Sequence, residues 1–106
     1  MPPDVPLTVY GGPNYKCSAT DLKFPNNTKL VITPPPEGCT ICFSQKVEGK
    51  TQHDIPGGDT TKIEFKGFNV KDEIHFCTYA YQKPCTPVGS KKDDNGHTIT
   101  IDTGTK

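Results

Sequence analysis

Two cysteines three residues apart, in Cys39-Thr40-Ile41-Cys42-Phe43, follow directly on Pro34-Pro35-Pro36-Glu37-Gly38 and constrain this chain more than any other stretch. A proline triplet donates no ladder hydrogen bond and presses its neighbours into extended geometry, so the cysteines open a new element. From Thr40 to Val47 that element sets Ile41, Phe43, Gln45 and Val47 against Thr40, Cys42, Ser44 and Lys46, which is the period of a strand, with the first set facing inward. Residues three apart on a strand face opposite sides, so Cys39 and Cys42 do not act as one centre. A redox Cys-x-x-Cys sits at a helix N-terminus, where the dipole acidifies the first thiol, and a structural zinc site needs a second ligand pair. Cys17, Cys77 and Cys85 do not repeat the spacing. Cys39 and Cys42 therefore read as two separately directed anchors for disulfides.

The rest of the chain is punctuated in the same way. It contains 11 prolines and 10 glycines, only two alanines and three leucines, and 27 valines, isoleucines and threonines among 106 residues. β-Branched side chains fit a pleated surface better than a helical one, so the expected class is all-β. The spacing predicts a strand from Leu7 to Tyr10, a turn at Gly11-Gly12-Pro13-Asn14, and a loop from Ser18 to Asn27 with at most a helical turn near Ala19–Leu22. Further strands follow at Thr28–Thr33, Thr40–Val47, Thr61–Lys66, Asp72–Gln82 and His97–Asp102. Residues 48–60 read as a long polar connection, and Asn95-Gly96 supplies the positive φ angles of a tight hairpin turn. Together these give a single domain, 1–106, with an extended arm at 1–6 and a frayed tail at 103–106. The expected architecture is a small antiparallel sandwich or Greek-key barrel of six to seven short strands, stapled by disulfides.

Leucine, isoleucine, valine and phenylalanine total 21 residues, a thin supply for one core. Five cysteines in such a chain point to covalent help and to an oxidising, extracellular setting, with a secretory leader removed ahead of Met1. Of Cys17, Cys39, Cys42, Cys77 and Cys85, four are expected to pair. Cys77, on the fullest strand, is the favoured partner of either Cys39 or Cys42, and the remaining thiol is either buried or bridges two chains. Asn26-Asn27-Thr28 is an N-glycosylation acceptor, which places Asn26 at the surface. A second copy of the chain would bury apolar surface that the small core lacks, so a homodimer is expected.

Twelve lysines and arginines balance 12 acids, so the electrostatic footprint of a nucleic-acid binder is missing. The longest aliphatic run, Leu30-Val31-Ile32, is far too short to enter a membrane. His53, His75 and His97 lie in no local nucleophile or acid–base signature, so no catalytic residue, no enzymatic activity and no cofactor are expected. Asp93, Asp94, Asn95 and Thr98 offer oxygen atoms to calcium, although the hairpin turn accounts for the same residues. Asp94-Asn95-x-x-Thr98 is similar to the short calcium motif of βγ-crystallins, and Tyr10-Gly11-Gly12-Pro13-Asn14-Tyr15 is similar to their aromatic corner. That resemblance implies a calcium-binding β domain as an alternative. Antimicrobial or toxin-like domains, and a secreted hydrolase or an inhibitor using the 48–60 loop, complete the alternatives.

Tyr10 and Tyr15 flank the first turn, and Tyr79 and Tyr81 share a face of the fullest strand. Tyrosine joins contact area to a hydrogen-bonding tip, which suits an interaction surface. In size, cysteine density and character the chain resembles the small secreted cysteine-rich proteins of fungi. The resemblance implies an elicitor or effector recognised by a protein or cell-surface receptor of a plant host.

Overall fold

A computed structural model describes residues 2–86 and 96–104. Eight strands form among them and no helix does: β1 (Val5–Thr8), β2 (Asp21–Phe24), β3 (Thr28–Thr33), β4 (Cys39–Val47), β5 (Lys50–Ile55), β6 (Thr61–Phe65), β7 (Glu73–Tyr79) and β8 (Gly96–Ile101). They make a three-stranded sheet in the order β1-β3-β6 and a five-stranded sheet in the order β2-β8-β7-β4-β5. The class is all-β, as composition requires, but the sheets are mixed rather than antiparallel. β1 runs parallel to β3, and β2 runs parallel to β8.

The two elements that the sequence conceals, β2 and β5, and the one it displaces, β1, are all edge strands. β1 takes Val5 and Pro6 out of the expected arm, pairing them with Leu30 and Val31. Proline is tolerated there because an edge strand leaves one side without a ladder partner. β2 replaces the expected loop and pairs Leu22 and Phe24 with Ile99 and Ile101. Four residues are too few to display a period. β5 takes six residues out of the middle of the expected 48–60 connection, which removes the long loop that inhibition would use. Its turn is Glu48-Gly49, both at positive φ (53° and 83°), as a tight hairpin demands. An imidazole stands at one of β5's inward positions, so its apolar pattern is broken: buried His53 donates from Nε2 to Val47 O (2.9 Å) and Lys50 O (3.1 Å).

The two sheets share one apolar core. Leu7, Leu30, Ile32, Ile63 and Phe65 come from the smaller sheet, and Phe24, Ile41, Phe43, Ile74, Phe76, Ile99 and Ile101 from the larger. The Phe65 ring joins them, edge-on to Phe24 (centroids 5.3 Å apart) and to Phe43 (5.7 Å). Each such side chain contributes roughly 1.5–3 kcal/mol by leaving water. β7 lies at the centre of the five-stranded sheet, with Ile74, Phe76 and Thr78 inward. Every residue of β4 from Cys39 to Phe43 is buried, on both faces. Gln45, expected inward, is exposed, because the β4–β5 register shifts between Cys42 and Val47.

The C-terminal segment is tied further than its composition suggests: Asp102 N donates to Phe24 O and Asn26 N to Thr103 O, each at 3.0 Å. Asn26 itself is 2% exposed, which corrects the expectation of a surface residue. Its Nδ2 donates to Phe68 O (2.7 Å) and its Oδ1 accepts from Phe68 N (3.1 Å). A glycan on Nδ2 needs solvent at the atom that this bond occupies, so the folded chain does not offer Asn26 for glycosylation.

Candidate functional site

Strand directions gather four of the seven connections, the two longest among them, at one end of the molecule. The C-terminal ends of β1, β3, β5 and β7 and the N-terminal ends of β2, β4, β6 and β8 all lie there, by the pairing of their residues. The end is therefore built from residues 9–20, 34–38 and 56–60 and the segment 80–86 that leaves β7. Connections on a rigid scaffold are where binding residues concentrate, so this end is the candidate site.

Its centre is the turn that carries Glu37 and Gly38. Gly38 N donates to Pro35 O at 2.9 Å, closing the turn after the proline triplet. The ring of Tyr81 lies against Gly38, and Gly11 and Gly12 lie against Glu37 and Tyr15 respectively. Glu37 is fully exposed, yet its pKa is held below the usual carboxylate value by hydrogen bonds from its own amide, then from the Gly12 amide and the Tyr15 hydroxyl. The Gly12 N to Glu37 Oε2 distance is 3.2 Å. Around this anchor Tyr10 is 55% and Tyr81 40% exposed, two of the three large apolar side chains most open to solvent among the described residues. Tyr15 packs partly onto the core, and its carbonyl accepts a hydrogen bond from the Thr78 hydroxyl. Beside the turn a cavity of about 380 Å³ is lined by Thr33, Pro34, Pro36, Gly58, Asp59 and Thr60.

Of the four tyrosines expected to form a surface, Tyr10 and Tyr81 are exposed and Tyr15 is half-buried. Tyr79 is also half-buried, with the Lys83 ammonium 4.9 Å above its ring. Tyr81 lies beyond the end of β7, not on it, which is what brings it to the Glu37 turn.

A disulfide joins Cys42 to Cys85, with Cα atoms 5.7 Å apart. Cys42's partner is thus Cys85 and not Cys77. Cys77 is already Cys42's neighbour across the β4–β7 ladder, whereas the segment after β7 folds back over the outer face and delivers Cys85. A polar network holds that segment down: Gln82 N donates to Thr40 Oγ1 (2.7 Å), Thr40 Oγ1 to Asp54 Oδ1 (2.9 Å), and Cys85 N to Gln52 Oε1 (3.1 Å). This cover explains why Cys42 is buried on what would otherwise be a solvent face. Cys17 and Cys39 carry free thiols. Burial pushes the Cys17 thiol up to about 11 and the Cys39 thiol up to about 12.

The histidines do not converge on a common centre. His53 closes the β4–β5 hairpin, and half-buried His75 pairs its Nδ1 with Thr98 Oγ1 (3.1 Å) on the outer face. His97 is buried against the Phe76 ring, centroids 5.1 Å apart. Among the described residues no group of three or more His, Cys, Asp and Glu side chains is placed to hold a metal ion. Of the calcium candidates Thr98 lies on β8, while Asp93, Asp94 and Asn95 fall outside the described residues. No helix among the described residues is long and apolar enough to cross a membrane. No protein-family model matches the chain, and neither does any curated protein.

Proposed function

We propose that the protein works outside the cell by surface recognition, without enzymatic activity, in the manner of the fungal elicitors and effectors that contact plant hosts. A disulfide forms and persists in oxidising compartments, which suits an extracellular chain. The observation that carries the reading is the rim around Glu37, where Tyr10 and Tyr81 are exposed on a cross-linked β scaffold. Rigid tyrosines give amphipathic contact area with little ordering cost on binding, which is what a recognition surface needs. The partner is a protein or a cell-surface receptor.

Infiltrating the purified protein into plant leaves and measuring the oxidative burst and cell death tests this. The wild type is expected to raise both, and the Tyr10→Ala/Tyr81→Ala variant, folded to the same melting temperature, is expected to lose at least tenfold in potency. No response from the wild type, or equal potency of the variant, overturns the proposal.

A further inference from the structure

Cys17 and Cys39 come from connections that meet at the end just described. Cys17 follows the Tyr10–Tyr15 turn, bridges to Val9, and places its Sγ 3.8 Å from Thr78 Oγ1. Thr78 is the cross-strand partner of Ile41 and points inward with it. Cys39 is the next inward residue along β4, two before Ile41 and two after Glu37. Glu37 in turn is bonded to Gly12 of the Cys17 segment. Hydrogen bonds thus fasten the Cys17 segment to β7 on one side and to the start of β4 on the other, and Cys39 lies between those fixings. A charge on Cys17 raises the pKa of Cys39, and one on Cys77 raises that of Cys17. Cys77, however, alternates with inward Phe76 and Thr78 and faces outward beside Cys42, on the side of the sheet opposite Cys39. Cys17 and Cys39 belong to the core or pack against it, with Cys17 half-buried and Cys39 fully buried.

We infer that Cys17 and Cys39 are the two halves of a second disulfide, closed when the protein meets a small-molecule disulfide oxidant such as oxidised glutathione. The half-buried Cys17 loses its proton first. Its thiolate attacks one sulfur of the oxidant, releasing one glutathione thiolate and leaving a mixed disulfide. The Cys39 thiolate then attacks the Cys17 sulfur and expels the second glutathione thiolate. One S–S bond forms in the protein as one breaks in the oxidant. Two electrons pass to glutathione, and the two protons lost by the protein thiols balance the two glutathione thiolates. The bridge fastens the first turn, with Tyr10 and Tyr15, to the start of β4. It is read from strand pairing and hydrogen bonds, and stands whether or not the surface is a recognition site.

The thiolate, not the thiol, reacts, so burial makes closure slow in the folded protein and strongly dependent on pH. The folded protein, with Cys42–Cys85 intact, is incubated with oxidised glutathione at pH 7, 8 and 9, quenched in acid, alkylated in denaturant and digested without reduction. Mass spectrometry is expected to find a cross-linked peptide pair containing Cys17 and Cys39, two hydrogens lighter than the free peptides. Its rate of appearance should rise about tenfold per pH unit, because both thiols titrate above this range. The Cys39→Ser variant is expected to accumulate glutathione on Cys17, having no resolving thiol. Alkylation of both cysteines beside an intact Cys42–Cys85 bridge, linkage of either to Cys77, or closure at a rate independent of pH each overturns the inference.

Discussion

Asn26 occupies a position that a loop asparagine rarely takes. Its amide plane replaces a piece of β ladder, donating to Phe68 O and accepting from Phe68 N, and so fastens the connection after β6 to the turn between β2 and β3. Asn26→Ala removes both bonds and leaves a donor and an acceptor of Phe68 buried and unmet. The expected cost is about 2–6 kcal/mol, from roughly 1–3 kcal/mol for each of the two orphaned groups. It should appear in urea unfolding as a lower midpoint with an unchanged slope. His53 makes the same point from the other side. An imidazole in a core position reads in sequence as a break in the apolar pattern, and in the fold it closes a hairpin through two carbonyls.

At the scale of elements, the turns that meet at one end fit so closely that single atoms decide their path. A methyl group on Gly57 would lie 2.0 Å from Pro36 O, a backbone atom that cannot step aside. Gly57→Ala therefore displaces either the β5–β6 turn or the proline turn. The expected loss is about 1–3 kcal/mol, as for overpacking elsewhere, together with an altered cavity beside Pro34 and Pro36. Thr51→Ala, at an exposed site on β5, is expected to stay within about 0.5 kcal/mol and serves as the control in thermal unfolding. The edge strands β1, β2 and β5 belong to this scale too. Each is short or polar because an edge that stayed long and apolar would invite pairing with another chain.

For the whole molecule, the Cys42–Cys85 bridge closes a loop of 43 residues that contains β5, β6 and β7. Chain-entropy reasoning gives it roughly 4 kcal/mol through restriction of the unfolded state. The Cys42→Ala/Cys85→Ala variant is expected to lose about 2–4 kcal/mol in denaturant unfolding. It should also expose the outer face of β4, read as faster amide exchange at Thr40 and Cys42. The β class, the strands from Thr28, Thr40, Thr61, Asp72 and His97, and the inward side of Ile41, Phe43 and Val47 were legible in the sequence, because their apolar residues alternate over five residues or more. So was the separation of Cys39 from Cys42, which follows from strand geometry alone. Strand period does not depend on partners, so a single chain suffices to reveal it. The parallel pairings of β1 with β3 and of β2 with β8, the burial of Asn26 and the choice of Cys85 for Cys42 were decided only in three dimensions. The same holds for the meeting of the Gly11–Gly12 turn and Tyr81 at Glu37 and Gly38. Each depends on which distant segments the two sheets bring side by side, and edge strands and connections carry too few residues to encode their partners locally.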